Sequence, residues 1–530
     1  MLKIKSYYPY FFILIFLSGI VIGQRYLQKK SNTFSKNKIE SVLNYISKDY
    51  VDSVNMEQLQ ESAIEEMLTK LDPHSIYISA EEFHAANDPL LGKFDGIGVQ
   101  FRMVNDTVVV ILPLENGPSQ KAGIQAGDRI VIANTDTLAG KHYNSLDIQS
   151  KLKGDRGTTV NLFIKRKGEK SLLPFLIKRD AIPTYSIDAK FMLNDSIAYI
   201  KLSRFSATTI KEFTEAMESL KEEGMKELIL DLRGNSGGYL GAAIFIADEF
   251  LEKGSMIVYT EGRNRPKETY YASGSSSYIK EKIVLLIDQN SASAAEIVAG
   301  AIQDNDRGIL LGRRTFGKGL VQEQANFIDG SAVRLTVSRY FTPSGRCIQR
   351  SYENGTEAYY NDYYERLHKE MLQSPDSTMI PDSLKYHTRQ GRTVYGGGGI
   401  WPDVFIPADT SINFTFYNKL INQSIIYQFA FDYVEKNRKE LGKYKTVDDF
   451  KTKFDKSNTL YTQFTELPEV KKLNPTKAEI KDTKNYIITL IKAEIARNLY
   501  EDGFYPIYIT NDNYIKESLL LLQLNKPSTK

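Results

Sequence analysis

The spacing of apolar residues divides the chain into regions of different secondary structure. Residues 7–23 carry no formal charge, and apolar residues between 35 and 87, such as Ile39, Leu43 and Ile46, recur at helical spacing. From residue 92 the pattern changes to short strands separated by glycine-rich turns, predicted at 98–103, 107–112, 128–132 and 158–165. The sequence therefore predicts a helical segment over 31–91 and a mostly-β module over 92–180.

Strands and helices alternate after Pro183. Strands are predicted at 196–202, 227–232, 283–287 and 333–341, and helices at 208–223, 239–251 and 294–303. Apolar strands flanked by helices are typical of βαβ units. We expect an α/β core over 181–350, rejoined by 394–408, with a polar, Tyr-rich insertion at 351–393. A helical region over 409–530 includes a capping-box pattern from Thr476 to Glu479.

Composition narrows the class of protein. The chain of 530 residues has 68 Lys and Arg against 65 Asp and Glu, so its near-neutral balance gives no reason to expect a nucleic-acid partner. The single cysteine, Cys347, excludes an intrachain disulfide framework and a cysteine-rich metal site. With only five histidines as well, we expect neither a metal nor another cofactor.

The first thirty residues resemble an export segment. Lys3 and Lys5 precede the uncharged run 7–23, and Arg25, Lys29 and Lys30 follow it. The run lies at the short end of what can cross a bilayer as a helix. A buried core helix is the alternative. We expect a signal or membrane anchor over 1–30, with the rest of the chain on the periplasmic side of the inner membrane.

Two strand-to-helix corners carry candidate chemistry. In Asp231-Leu-Arg-Gly-Asn-Ser-Gly-Gly238, paired glycines before a helix present backbone N–H groups to an incoming oxygen, although a tight turn needs the same residues. In the second corner, Ser293 begins a helix after a buried strand and is a candidate nucleophile. Ser293 and Glu296 also form a capping-box pattern, and Ser291 is a candidate N-cap, so both interpretations stay open here.

A nucleophilic serine needs a base, and no histidine lies within fifty residues of Ser293. Lys318 lies between two glycines in Thr-Phe-Gly-Lys-Gly and has no adjacent acid. Burial would lower the pKa of its amine towards neutrality, so that it accepts a proton. A solvated loop lysine is the alternative. The segment is not a phosphate-binding P-loop, because the required pattern is not matched.

Four motifs in one order resemble the carboxy-terminal processing peptidases, also called tail-specific proteases. They are Leu230-Asp-Leu-Arg-Gly-Asn-Ser-Gly-Gly238, Ser291-Ala-Ser-Ala-Ala-Glu-Ile297, Thr315-Phe-Gly-Lys-Gly-Leu-Val-Gln322 and Phe341-Thr-Pro-Ser-Gly-Arg-Cys-Ile-Gln349. Leu71-Asp-Pro-His-Ser-Ile-Tyr77 resembles the signature ahead of the family's PDZ domain. PDZ-like landmarks follow at Gly96-Ile-Gly-Val99, Gly117–Asp128 and Gly154-Asp-Arg-Gly157. The resemblance covers about 35–350 and resumes at 399–407.

The resemblance implies a serine–lysine peptidase with a crotonase-like core of the kind shared with Clp proteases. It makes Ser293 the nucleophile and Lys318 the general base, and it makes Gln322 the residue that orients the lysine. It gives the oxyanion hole to the N–H groups of Ala294 and of Gly237 or Gly238. Glu296 and Asp304 match supporting positions.

The PDZ-like region implies the specificity. Its loop of Gly96, Ile97, Gly98 and Val99 is expected to bind the terminal carboxylate of a protein substrate, while an edge strand pairs with the substrate tail. The expected partners are proteins with free C-termini and the membrane at the N-terminal segment. An adaptor protein and assembly into a homo-oligomer stay open. The family more often has Arg-Asn-Asn-Pro-Gly-Gly where this chain has Arg233-Gly-Asn-Ser-Gly-Gly238, which keeps the glycine pair.

Two other functions compete with a peptidase. The first is a PDZ scaffold that binds C-terminal tails without cutting them, which would need none of Ser293, Lys318 and Gln322. The second is a crotonase-like enzyme that acts on acyl thioesters, which the PDZ-like module and the export segment disfavour.

Overall fold

The computed structural model describes residues 8–28, 37–103, 106–114, 116–371, 380–408 and 413–524. Its first elements are α1 (Tyr8–Gln28), α2 (Lys38–Asp49), α3 (Met56–Thr69), β1 (Ile76–Ile78) and α4 (Phe83–Leu91). Within these described ranges, no helix is both long enough and apolar enough to cross a membrane. The predicted membrane anchor at 7–23 is therefore not supported. Its flanking Lys3, Lys5, Lys29 and Lys30 lie outside the described residues, and export stays a prediction.

The region predicted to be mostly β has its own sheet and core. Its elements are β2 (Lys93–Gly96), β3 (Val99–Met103), β4 (Val108–Pro113), α5 (Pro118–Ala122), β5 (Arg129–Ala133), β6 (Asp136–Thr137), α6 (Ser145–Leu152), β7 (Thr159–Lys165), β8 (Leu173–Lys178) and β9 (Asp180–Pro183). The strands run in the order β3-β4-β5-β7-β8, with β6 on β5. Strand β3 is thus an edge strand, and Val108, Ile130 and Ile148 belong to the buried core beneath the sheet.

Strand–helix alternation builds the α/β core. Its elements are β10 (Ile187–Met192), β11 (Ile197–Leu202), α7 (Thr209–Glu222), β12 (Glu227–Asp231), α8 (Leu240–Asp248), β13 (Met256–Gly262), β14 (Arg265–Tyr271), β15 (Lys282–Ile287), α9 (Ala294–Asp304), β16 (Ile309–Gly312), β17 (Leu320–Asn326) and β18 (Ala332–Phe341). The predicted α/β fold is confirmed, with predicted strand ends mostly within a residue of the observed ones. The domain boundaries as such stay predictions.

The main sheet brings three loops to one edge. After the core come α10 (Gly355–Glu370), β19 (Lys385–His387), β20 (Thr393–Tyr395) and β21 (Val404–Phe405). The sheet order is β10-β11-β12-β15-β16-β21, and the pairs β12–β15 and β15–β16 are parallel. The loops after β12, β15 and β16 therefore begin at the carboxyl ends of adjacent strands, where open α/β sheets place their sites. These loops carry Gly237, Ser293 and Lys318.

A second sheet ties the N-terminal region to the core. Its order is β1-β18-β13-β14, with β17 also paired to β18. Ile76 of β1 lies opposite Arg334 of β18. The motif at 71–77 resembles the family signature ahead of the PDZ domain. Through β1, it is joined to the sheet that also contains β17, the strand that carries Gln322.

The C-terminal region is helical, as predicted, and has a core of its own. It comprises α11 (Thr415–Asn422), α12 (Ile425–Leu441), α13 (Val447–Lys453), α14 (Ser457–Thr465), α15 (Pro468–Lys472), α16 (Lys477–Asp482), α17 (Lys484–Leu499), α18 (Phe504–Tyr508) and α19 (Asn513–Leu524). Tyr514 and Ile515 of α19 share a buried cluster with Val284 and Leu286 of the main sheet. The last helix therefore covers one face of that sheet, while residues 409–412 and 372–379 lie outside the described residues.

Candidate active site

Ser293 lies on a sharp corner between β15 and α9. Its φ of 54° and ψ of −116° fall outside the regions that non-glycine residues ordinarily adopt. Its neighbours Ala292 and Ala294 are buried, whereas Ser293 is partly exposed. A strained strand-to-helix turn that exposes one hydroxyl is the arrangement that presents a nucleophile. Ser291 is no N-cap: its hydroxyl donates to the Leu232 carbonyl oxygen at 2.8 Å and joins the two corners.

The glycine pair lies directly against Ser293. A Cβ atom added to Gly237 would lie 2.7 Å from the Ser293 Cβ and 3.0 Å from the Ala294 nitrogen, so only glycine fits there. The Gly237 N–H already donates to Asn235 Oδ1 at 2.8 Å. Among the described residues, the N–H groups of Gly238 and Ala294 have no protein acceptor at hydrogen-bond distance. These two donors remain for a substrate oxygen.

Lys318 is held by a relay of polar groups. Its Nζ donates to Gln322 Oε1 at 2.8 Å, and Gln322 Nε2 in turn donates to the carbonyl oxygen of His74. One lysine N–H is used in this contact. When the amine is neutral, its lone pair can accept a proton from another group.

Glu296 joins the two loops that carry Ser293 and Lys318. Its carboxylate accepts from the backbone N–H of Ser293 at 2.8 Å, of Lys318 at 2.9 Å and of Gly317 at 2.8 Å, and also from the Thr315 hydroxyl. The side chain is fully buried. One carboxylate thus sets the spacing of both backbones, so the capping interpretation of Glu296 covers only part of its role.

Burial shifts the pKa values of the groups at this site. Desolvation lowers the pKa of Lys318, and the positive charge of Arg334 lowers it further, while the negative charges of Asp72 and Glu296 partly offset this fall. Desolvation also raises the pKa of Glu296 to about 6, despite the donors that favour its ionised form. Burial and then the Lys318 charge lower the pKa of His74 to about 4. At neutral pH the imidazole is therefore uncharged.

Asp304 lies at the other end of α9 and does not contact Ser293 or Lys318. Its carboxylate accepts from Arg346 Nη2 at 2.7 Å and from the Ser344 N–H at 3.0 Å, and the ion pair with Arg346 is fully buried. This contact fixes the turn at 342–346. The structure thus gives Asp304 a role in holding the fold, whereas Glu296 lies at the site.

Sequence reasoning missed three residues around the site. Asp72 accepts from the backbone N–H groups of His74 and Ser75 and shapes the turn that presents the His74 carbonyl. The Tyr340 hydroxyl lies 3.2 Å from the carbonyl oxygen of Ser293 and 2.6 Å from that of Lys318. The motif at 71–77 was the available signal for Asp72 and His74. Nothing in the sequence around Tyr340 pointed to its contact with both loops.

The predicted carboxylate loop lies at the start of the edge strand β3. Gly96 ends β2, Val99 begins β3, and Gly98 has a φ of 71°. The carbonyl oxygen of Ile97 accepts from both the N–H and the hydroxyl of Ser119, at 3.0 and 2.6 Å. The loop is thus fixed from within its own module. It is separate in the chain from the loops that carry Ser293 and Lys318.

Comparison with known proteins identifies the family. Residues 196–357 match Peptidase family S41, and residues 96–174 match a PDZ domain. The chain is 35% identical over 344 residues to the carboxy-terminal-processing protease of Bartonella bacilliformis, an alignment that spans 63% of this chain and 78% of the relative. The chain belongs to the carboxy-terminal processing proteases. These are serine peptidases, and the family predicted from the motifs is confirmed.

Two further similar proteins are matched over less of their own length or at lower identity. The protein CtpB of Bacillus subtilis (strain 168) is 34% identical over 317 residues, which span 59% of this chain and 65% of the relative. A solved photosystem II D1 C-terminal processing protease covers 71% of this chain and 88% of its own, with 24% identity and a TM-score of 0.37. Residues 21–82 match the activating protease CtpB N-terminal domain, and residues 416–502 match a family of unknown function.

The part of the chain that the structure describes offers no ligand set for a metal ion. No group of three or more His, Cys, Asp or Glu side chains lies close enough together there to hold an ion. The site instead offers a hydroxyl, an amine of lowered pKa and two backbone donors, which together suit acyl transfer.

Proposed function

We propose that this protein is a serine endopeptidase that recognises protein C-termini through its PDZ domain and cleaves with Ser293 and Lys318. The observation that carries the proposal is the desolvated Lys318 amine, which Gln322 holds while Glu296 and Tyr340 tie its loop to that of Ser293. A partly buried lysine of lowered pKa, on a loop tied to that of a serine on a strained corner, suits a general base and its nucleophile.

The proposed reaction has two halves. Lys318 Nζ removes the proton from Ser293 Oγ while that oxygen bonds to the carbonyl carbon of the scissile peptide. The lysine then gives the proton to the leaving amine, and the peptide C–N bond breaks to leave an acyl ester on Ser293. Water, deprotonated by the same lysine, attacks the ester carbon. The bond from that carbon to Ser293 Oγ then breaks, Oγ takes the proton back from Lys318, and the new C-terminal carboxyl group leaves. Gln322 keeps the amine oriented through both halves.

The two backbone donors left without acceptors define the oxyanion hole in this proposal. The N–H groups of Gly238 and Ala294 would stabilise the negative oxygen of each tetrahedral intermediate. Gly237 serves differently: its N–H is already engaged by Asn235, and its lack of a side chain makes room for Ser293. Of the glycine pair, Gly238 is therefore the proposed donor.

The PDZ domain supplies capture of the substrate tail. Edge strand β3 can pair with an extended tail, and the loop of Gly96, Ile97, Gly98 and Val99 lies at its start, where a terminal carboxylate would bind. Such binding would recognise the C-terminal end of a protein and not an internal segment. The proposed substrates are proteins with accessible, free C-terminal tails, while an adaptor protein and a homo-oligomer stay predictions.

The deciding experiment compares cleavage of a tail-bearing protein by the wild type and by Ser293→Ala. We expect cleavage by the wild type, none by Ser293→Ala, and tail binding by both. Ser277→Ala, which changes an exposed serine, is the matched control. Cleavage by Ser293→Ala would rule out the assigned nucleophile. Binding without cleavage by the wild type would instead favour the PDZ scaffold.

A further inference from the structure

Helix α10 lies against the loops that carry both proposed catalytic residues. It begins at Gly355, near the end of the matched peptidase region at residue 357, and it occupies the segment whose role the sequence left unassigned. Three of its side chains form hydrogen bonds with residues of the two loops or with His74. They are Tyr359, Tyr363 and Arg366.

Tyr359 contacts the residue that holds Gln322. Its ring is only 2% exposed, and its hydroxyl lies 3.1 Å from His74 Nε2. The two rings meet edge to face, with their centroids 5.4 Å apart. Because the His74 carbonyl accepts from Gln322, the contacts form a chain from Tyr359 through His74 and Gln322 to the Lys318 amine.

Arg366 and Tyr363 hold the loops themselves. Arg366 Nη2 donates to the carbonyl oxygen of Thr315 at 3.0 Å and to that of Phe316 at 3.3 Å, in the loop that leads to Lys318. The Tyr363 hydroxyl lies 3.1 Å from Asn290 Oδ1, three residues before Ser293. The helix therefore contacts both catalytic loops as well as the relay.

We propose that α10 is a positioning element of the active site and that Tyr359 acts on catalysis through His74, Gln322 and Lys318. The inference rests on the proposed peptidase function. The neutral imidazole of His74 is held at its Nε2 atom by the Tyr359 hydroxyl, and this contact keeps the backbone carbonyl of His74 in place. That carbonyl keeps the Gln322 amide aligned with the lysine. Loss of the tyrosine hydroxyl loosens the relay without emptying the space that the ring fills.

The test is a double-mutant cycle read by the rate at which a fluorophosphonate probe labels Ser293. Tyr359→Phe removes one hydroxyl, and Tyr364→Phe makes the same change at a position of α10 that is 60% exposed. We expect Tyr359→Phe to lower the labelling rate and kcat about fivefold, the worth of one hydrogen bond, with KM unchanged and the protein still fully folded at the assay temperature. Tyr364→Phe should match the wild type.

The cycle is completed in the Gln322→Ala background. If Tyr359 acts through Gln322, adding Tyr359→Phe to Gln322→Ala should change the labelling rate less than twofold. Three results would overturn the proposal: a Tyr359→Phe rate equal to that of Tyr364→Phe, the same fivefold loss with and without Gln322, or a loss of activity that matches the unfolded fraction at the assay temperature. Failure of the wild type to label at Ser293 would instead refute the peptidase assignment.

Discussion

The proposed catalytic centre and the proposed carboxylate loop of the PDZ domain are built in different ways. The centre is joined by contacts between distant parts of the chain, such as the bond between Gln322 and His74, 248 residues apart. The PDZ loop is closed locally, by Ser119 on Ile97, 22 residues away. The first region is polar and partly exposed, whereas the second is mostly buried and borders an edge strand. Under the proposed function, chemistry therefore depends on contacts across the whole core, while capture of the substrate depends on one module.

The largest loss of activity is expected from a change at Lys318, the proposed general base. Lys318→Arg keeps the positive charge but cannot supply a neutral amine, because arginine stays protonated. We expect peptide cleavage to fall about 1,000-fold or more, with tail binding to the PDZ domain unchanged. Lys211→Arg, at a side chain 80% exposed, should retain full activity. The measurement is kcat for a tail-bearing peptide in the wild type and in both variants. A Lys318→Arg enzyme with full activity would contradict the mechanism.

The next effect is expected at the carboxylate that joins the two catalytic loops. Glu296→Gln replaces an acceptor oxygen with an amide N–H group, which faces backbone donors that it cannot satisfy. We expect kcat to fall about 10- to 100-fold while KM changes little. Glu323→Gln, at a side chain 57% exposed, is the matched control. Equal kcat values for the two variants would show that Glu296 does not set the geometry.

A change in the PDZ loop should affect capture and leave the chemistry intact. A Cβ atom on Gly98 would lie 3.0 Å from Ile182 Cδ1, and its φ of 71° disfavours any side chain. We expect Gly98→Ala to raise KM about tenfold for a tail-bearing substrate with kcat unchanged. Gly140→Ala controls for the backbone strain alone, because Gly140 has a φ of 72° with nothing within 4 Å of an added Cβ. A lower kcat in Gly98→Ala would mean that the two regions are not separable.

The smallest effect concerns stability and pH. The folded pKa of Glu296 is raised from 4.5 to about 6, so burial favours its protonated form. Its contribution to the free energy of unfolding is therefore fully present below pH 4.5 and is lost as pH rises through 6. The shift corresponds to about 2 kcal/mol. Denaturant unfolding of the wild type and Glu296→Gln should show this loss in the wild type only, and parallel curves would contradict it.

The local part of this architecture could be predicted from the sequence. The corners that carry Gly238 and Ser293 follow buried strands, and adjacent glycines and a capping pattern mark them in the residues themselves. The family resemblance implied that Gln322 orients Lys318, and the structure has Lys318 Nζ and Gln322 Oε1 2.8 Å apart. The fold class followed from the same alternation of strands and helices.

The long-range part could not be predicted. His74 reaches Gln322 because β1 pairs with β18, and Tyr359 reaches His74 because α10 folds back on the core. No local pattern encodes such pairings, since they depend on how the whole chain closes. The ion pair between Asp304 and Arg346 is also a long-range contact that no local pattern encodes. For this reason the sequence did not reveal that Asp304 holds the turn at 342–346.

The most direct test of a neutral lysine base is the pH dependence of Ser293 acylation. The labelling rate with a fluorophosphonate probe should be measured between about pH 6, where Glu296 titrates, and pH 10.5, the ordinary pKa of lysine. Below the lowered pKa of Lys318 the amine is protonated and accepts no proton. The rate should therefore fall towards tenfold per pH unit, with a midpoint below 10.5 that is absent in Lys318→Arg. A rate independent of pH across this range, or the same limb in Lys318→Arg, would contradict the account.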